Sequence, residues 1–203
     1  MNEQLFLNEC FNNPALDERL EWFCEPINWE SSNGKLILNT DAKTDFWART
    51  HYGFINDNGH CLWLPIKDNF VLSTKVSFSP KNQYDQSGLI IRISPDCWLK
   101  TSVEYEPDEP NRLGVVVTNN GFSDWSTQDV SDEMTTVELR ITRDGQDYTV
   151  EFRNENNSHW SQLRVAHLHD PAQNVNAGLY ACSPIEAGYT AIFENLKITR
   201  TVA

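Results

Sequence analysis

Apolar and polar positions alternate with period two along most of this chain. The runs are short and turn-forming residues separate them, the pattern of antiparallel strands with one face in a core. Lys35 to Asn39 follows the turn Ser31 to Gly34. Phe70, Leu72, Thr74, Val76 and Phe78 alternate with Val71, Ser73, Lys75 and Ser77. Leu113 to Thr118 is a β-branched run. Val137, Leu139 and Ile141 oppose Thr136, Glu138, Arg140 and Thr142. Asp144-Gly145, which readily takes positive φ, then turns the chain into Tyr148, Val150 and Phe152. Trp160 to Val165, Ala177 to Cys182 and Tyr189 to Thr199 complete the set. The one helical candidate is Asn13 to Trp22, with Asn13 as cap and Pro14 at the first helical position. About a dozen strands with few helices predict an all-β fold, two stacked antiparallel sheets in a jelly-roll-like sandwich, with a closed barrel as the alternative. No linker, charge block or repeat divides the chain, so residues 1–203 read as a single domain.

The most informative runs are Gln86 to Ile93 and Trp98 to Tyr105, joined by Ser94 to Cys97. In the first, Leu89, Ile91 and Ile93 share a core-like face, and Gln86, Gly88, Ile90 and Arg92 share the other. In the second, Leu99, Val103 and Tyr105 oppose Trp98, Lys100, Ser102 and Glu104. Paired as a hairpin, the strands put an amide, a guanidinium, an indole, an amine and a carboxylate on one surface. A rigid sheet so furnished suits a polar ligand such as a sugar; an ordinary solvated face is the alternative. A tryptophan on the polar side favours the first.

The net charge of −13 and pI near 4.7 argue against nucleic acid and against anionic membrane surfaces as partners. Five cysteines, Cys10, Cys24, Cys61, Cys97 and Cys182, include no CxxC pair. Together with an N-terminus lacking the basic and apolar regions of a signal peptide, they predict free thiols and a cytoplasmic protein with no membrane span. Asn156 to Ser158 matches a glycosylation sequon, which carries no weight without secretion.

Other candidates surround the hairpin. Asp45, Trp47 and His51 lie in an aromatic block that also holds Phe46, Tyr52 and Phe54. Either Phe46, Tyr52 and Phe54 pack in the core while Asp45 and His51 satisfy the backbone, or Trp47 stacks on a ligand with His51 or His60 as hydrogen-bond partner. Asp124 and Trp125 follow the turn Asn119 to Gly121, in a loop expected at a sheet edge. Arg92, Arg140 and Arg164 fall on polar strand faces, where they would meet an acidic ligand or the chain's own carboxylates. Glu104, Glu106 and Glu109 approximate the acidic triplet of laminarinase-like glycosidases, but Pro107 and Pro110 break the strand and leave Glu106 and Glu109 in a turn. Glu104 and Asp124 remain the catalytic candidates. No phosphate loop, nucleotide fingerprint or Gly-x-Ser-x-Gly motif occurs, and His and Asp spacings do not form a convincing metal set, so no cofactor and no metal are expected.

Asp45 to Trp47, His51 to Phe54, Asn58 to His60, Tyr84 to Leu89, Trp98 to Lys100, Glu104-Tyr105, Ser123 to Ser126 and Gly178 to Pro184 occur in this order. The series resembles an uncharacterised concanavalin-like domain family whose fungal members are called regulator-of-enolase proteins, over about Trp22 to Ile198. The resemblance implies a concanavalin-like lectin/glucanase jelly roll and a stand-alone cytoplasmic protein, and brings no assigned catalytic residue. Carbohydrate binding then follows by analogy of fold. The expected site has Gln86, Arg92, Trp98, Lys100 and Glu104 as floor, Trp47, His51, Asp124 and Trp125 as rim, and Asp45 and Arg140 as further ligand-binding candidates. The partner would be a sugar or glycan, and Trp98→Ala or Arg92→Ala would abolish binding at unchanged stability. The alternatives are a glycan hydrolase using Glu104 and a regulatory protein that binds a metabolic enzyme.

Overall fold

A computed structural model describes residues 2–154 and 158–202, and the fold among them is all-β with no helix. Asn156 and Asn157 of the sequon lie outside the described residues. The strands are β1 (Asn2–Glu9), β2 (Glu21–Phe23), β3 (Asn28–Ser32), β4 (Lys35–Asn39), β5 (Phe46–Ala48), β6 (Ile55–Asp57), β7 (His60–Ile66), β8 (Phe70–Ser79) and β9 (Gln86–Ser94). They continue with β10 (Cys97–Glu104), β11 (Asn111–Asn119), β12 (Phe122–Val130), β13 (Thr136–Asp144), β14 (Asp147–Arg153), β15 (Ser161–His167), β16 (Val175–Cys182) and β17 (Thr190–Val202).

Two antiparallel sheets stack as a sandwich rather than closing into a barrel. One runs β15-β14-β13-β8-β17-β4-β3, with β1 pairing the C-terminal half of β17 while β4 pairs its N-terminal half. The other runs β12-β11-β10-β9-β16-β7-β2. The inward residues of both sheets form the main core. Leu72, Val76, Leu139 and Ile141 of the first sheet share that core with Leu89, Ile91, Leu99, Val115 and Leu179 of the second. The period-two burial along β8 and β13 is the pleat expressed as chemistry.

Two sequence expectations need correction. Asn13 to Trp22 is not a helix: it holds bends, a turn closed by Leu20 N–H to the Asp17 carbonyl, and the start of β2. Side chains capture its backbone instead. The Glu9 carboxylate accepts from the N–H of Phe11 (2.8 Å) and Asp17 (2.9 Å), and the Ser31 hydroxyl donates to the Asn13 carbonyl (2.6 Å). Such bonds compete with a helical ladder, and Leu16, Leu20 and Trp22 reach the core from an extended path. The segment carrying Asp124 and Trp125 is not a loop but edge strand β12, paired along β11 from Asn111↔Val130 to Asn119↔Phe122.

A third layer decides where a site can form. The short hairpin of β5 and β6 lies on the outer face of the β9-β10 sheet and encloses a second apolar cluster. Phe46 of that hairpin packs against Trp98 (centroids 5.9 Å) and Tyr180 (6.3 Å), with Cys61, Trp63 and Ile90 around them. The hairpin is fastened at both ends. The Asp45 carbonyl accepts from Asn58 and Gly59 N–H, the Ala48 N–H donates to Ser123 Oγ (2.9 Å), and Arg49 donates to the Gly121 carbonyl (2.8 Å). Its tip takes positive φ at Arg49, His51 and Gly53, a tight reversal held by Arg49 N–H to the Phe54 carbonyl.

Candidate functional site

The pairing register assembles the site. Across the outer face, one cross-strand row reads Trp125, Val116, Lys100, Ile90, Gly178 and Trp63, from β12 to β7. The row two residues along contains Gly114, Ser102 and Gly88, none larger than a hydroxymethyl group, and then Tyr180. Beyond it Glu104 stands directly opposite Gln86. Gly114, in that small row, lies against the Trp125 indole. Gly114 is required there, since a Cβ would sit 2.9 Å from Trp125 Nε1 and 2.7 Å from the Ser126 carbonyl oxygen.

A cleft of about 440 Å³ opens on this face, lined by Asp45, Trp47, Tyr52, Phe54, Asn56, Tyr84, Gln86, Lys100, Glu104, Glu106, Val116, Trp125, Pro184 and Ile185. Gln86 organises the floor. Its amide oxygen accepts from Lys100 Nζ (2.8 Å) and the Tyr180 hydroxyl (3.1 Å), and its amide nitrogen donates to Glu104 Oε2 (2.7 Å) and the Tyr84 carbonyl (3.1 Å). With both ends engaged, the amide has a single orientation. Lys100 also approaches Asp45 Oδ1 at 3.5 Å, and the same oxygen accepts from the Phe46 N–H (2.7 Å). Lys100 and Asp45 are both buried, so their charges are taken out of water as a pair.

Glu104 is half-buried: the cleft mouth reaches it, and protein surrounds it on the other sides. Burial is the main reason its carboxyl is pushed up to about 8 from the usual 4.5; Lys100 and the Gln86 bond pull it down, while Asp45 and Glu106 push it further up. At neutral pH it is mostly protonated, able to donate a hydrogen bond or a proton. Burial also raises the Tyr180 phenol and the Cys182 thiol well above their ordinary values, so both stay neutral beneath the floor.

The walls are aromatic and open. Tyr52 is 57% exposed, Phe54 44%, Tyr84 37% and Trp125 37%. Tyr52 stacks on Phe54 (5.8 Å) and meets Trp47 edge-on (5.4 Å), while Trp47 Nε1 donates to the Thr50 carbonyl. Trp47, Tyr52 and Phe54 form one contiguous group of rings, and Tyr84 and Trp125 also line the cleft.

Of the residues expected from sequence, the cleft brings together Asp45, Trp47, Gln86, Lys100, Glu104 and Trp125. Arg92, Trp98, His51, Asp124 and Arg140 lie elsewhere. Arg92 is spent on Asp57 through two bonds (3.1 and 2.6 Å) and covers the Phe23 ring at 4.9 Å. Trp98 is 1% exposed beneath the hairpin, its indole N–H on the Pro95 carbonyl. His51 is exposed at the hairpin tip against Tyr52. His60 is buried, bonded to the Cys24 carbonyl and the Asp41 N–H. Asp124 pairs with Arg164 at 2.8 Å outside the cleft. Arg140 is on the outer face of the other sheet, paired with Glu151 and packed on Trp160. Tyr84, Asn56, Glu106, Pro184 and Ile185 were not foreseen as lining residues; of the two alternatives for the aromatic block, Tyr52 and Phe54 leave the core and line the cleft, while Phe46 is buried. A cluster of aromatics at a Gly53 turn was the available signal for Tyr52 and Phe54. Among the described residues no group of three or more His, Cys, Asp or Glu side chains is arranged to hold a metal ion, and no helix is long and apolar enough to cross a membrane.

Residues 22–201 match the family described as "Protein of unknown function (DUF1349)". The protein named "Regulation of enolase protein 1" from Saccharomyces cerevisiae is 32% identical over 178 residues, 88% of this chain and 88% of that one. A crystal structure of a functionally unknown protein from Saccharomyces cerevisiae superposes with a TM-score of 0.84 at 31% identity, covering 91% of this chain and 98% of the other. Bacteroides ovatus xyloglucan PUL GH43B superposes with a TM-score of 0.78 at 19% identity, over 96% of this chain and 39% of that chain. The fold is thus an all-β two-sheet antiparallel sandwich, as expected from the sequence, and it is shared with part of that GH43B chain.

Proposed function

We propose that this chain, which belongs to the DUF1349 family, is a lectin-like carbohydrate-binding protein whose ligand occupies the cleft above Gln86, Lys100 and Glu104. The observation that carries this reading is the set of exposed rings, Tyr52, Phe54, Tyr84 and Trp125, around a hydrogen-bonded amide, amine and carboxyl floor. The C–H faces of a pyranose stack on aromatic rings, and its hydroxyls pair with fixed donors and acceptors. The volume of about 440 Å³ suits a mono- or disaccharide and lies in the ordinary range of small-molecule sites. The fold likeness adds nothing to ligand identity, because sandwiches host many functions. Binding is favoured over hydrolysis because Lys100 neutralises Asp45, and Glu106, the remaining carboxyl of the lining, is two residues from Glu104 in the chain and engaged by the Gln83 amide. Five free thiols are in keeping with a cytoplasmic setting.

The test is a titration with mono- and disaccharides, followed by NMR at the Trp125 indole, in the wild type and in Trp125→Ala. Saturable shifts in the wild type and weakened binding in the variant are expected. A panel that leaves the indole resonance unmoved overturns the reading.

A second reading, binding of a protein partner, is favoured by the name of the yeast relative and by the exposed Ile55, Phe122 and Ile185, the last of which lines the cleft. Co-purification of enolase with the wild type, lost on Phe122→Ser, would support it; a wild type that retains no enolase would exclude that partner.

A further inference from the structure

We propose that the cleft selects an amino sugar, with the ring stacked on the aromatic walls and the ammonium group set against the Glu104 and Glu106 carboxyls. This rests on the carbohydrate reading and narrows its ligand class. Four ionisable acid or base side chains of the lining decide its charge: Asp45, Lys100, Glu104 and Glu106. Lys100 is 3% exposed and is held at the bottom by Gln86 and Asp45, so the only cation of the four is answered within the floor. The two glutamates have neutral partners instead. Glu104 accepts from the Gln86 amide (2.7 Å), and Glu106 accepts from the Gln83 amide (2.8 Å). Neither has a cation within ion-pair distance among the described residues. The cleft therefore carries more carboxyl than ammonium, and its walls are π faces, which also attract cations. A net charge of −13 over the whole chain adds long-range attraction of the same sign.

An anionic sugar meets the opposite situation, since the one ammonium it would need is occupied and buried. A neutral sugar would stack equally well and hydrogen-bond to the floor, but would bring no counter-charge to the glutamates. An ammonium beside Glu104 also favours its ionised form, which opposes the upward push of burial and of the neighbouring carboxylates. Binding at a pH below the Glu104 midpoint would then release a proton, and a neutral sugar would release none.

The experiment is calorimetric titration at about pH 6.5, in two buffers of different ionisation enthalpy, with the 2-amino hexoses of gluco, galacto and manno configuration, their parent hexoses and their N-acetyl derivatives. We expect one amino hexose to bind about ten-fold more tightly than its parent and N-acetyl forms, the return of one charge-assisted hydrogen bond. Release of up to about one proton per ligand should accompany it. In Glu104→Gln/Glu106→Gln the ratio of amino-hexose to parent-hexose affinity should fall to about one and proton release should cease, whatever the variant's affinity for the parent hexose; a cooperative unfolding transition shows that the variant is folded, and a preference kept by the folded variant overturns the inference. Equal binding of amino and parent sugars, without proton release, overturns the amino-sugar inference and leaves the carbohydrate reading standing. Absence of saturable binding by every sugar overturns both.

Discussion

Replacing Glu104 by glutamine should make the protein more stable, and increasingly so as the pH rises. The carboxyl titrates at about 8 in the folded protein against an ordinary 4.5, so the folded state holds the proton more tightly than the unfolded chain. The stabilising effect of that proton is fully present below about pH 4.5, declines as the pH rises, and is gone above about pH 8. A difference of this size corresponds to roughly 5 kcal/mol if the whole cost of ionising a buried carboxyl is retained. Water entering through the cleft mouth screens part of it, and roughly half is a reasonable lower bound. Glutamine keeps the shape and can still accept from the Gln86 amide, but it cannot ionise. Its stability advantage over the wild type should therefore grow by about 2–4 kcal/mol between about pH 5 and about pH 9. Urea unfolding of both proteins at each pH measures this, and other titrating groups cancel in the comparison. A carbon-13 titration of the Glu104 side chain should show a midpoint near 8. Parallel stability profiles for the two proteins, or a midpoint below about pH 6, would refute the account of a desolvated floor.

Three further outcomes follow from the packing. Trp98→Ala opens a cavity under Phe46 and should cost about 3–5 kcal/mol in denaturant unfolding, reversing the expectation that it would affect ligand binding alone. Arg92→Ala strands Asp57 in a half-buried position and uncovers Phe23; a loss of about 1–3 kcal/mol is expected, with sugar affinity at the cleft unchanged. Asp85→Ala removes the acceptor for the Lys81 and Asn82 N–H groups (2.8 Å each) and for the buried Ser183 hydroxyl (2.6 Å). A loss of about 2–4 kcal/mol should appear as a lower thermal midpoint, and a shift of only a degree or so would show that the network is dispensable.

The alternation in Gln86 to Ile93 and Trp98 to Tyr105 was sufficient to predict the β9-β10 hairpin and the sharing of one face by Gln86, Lys100 and Glu104. The helix expected over Asn13 to Trp22 failed because its cap and proline were read without Glu9 and Ser31, which come from other strands and bind its backbone. Loop composition around Asn119 to Gly121 likewise concealed β12, whose residues from Phe122 to Val130 are mostly exposed because they pair at a sheet edge.

What the sequence determined by itself was therefore local: period, turns and face, since a pleat places every second side chain on the same side whatever lies above it. Which part of that face is open was decided only by tertiary structure. Trp98, Arg92 and Lys100 are equivalent in alternation, yet the β5-β6 hairpin folds down over Trp98, Asp57 of that hairpin takes Arg92, and the face opens into the cleft only from the buried Lys100 towards Glu104. That outcome depends on long-range fastening by Ser123, Gly121 and Asn58. A covered indole and an exposed one look alike in a strand pattern; non-local packing made Trp98 a core residue and Trp125 a cleft wall.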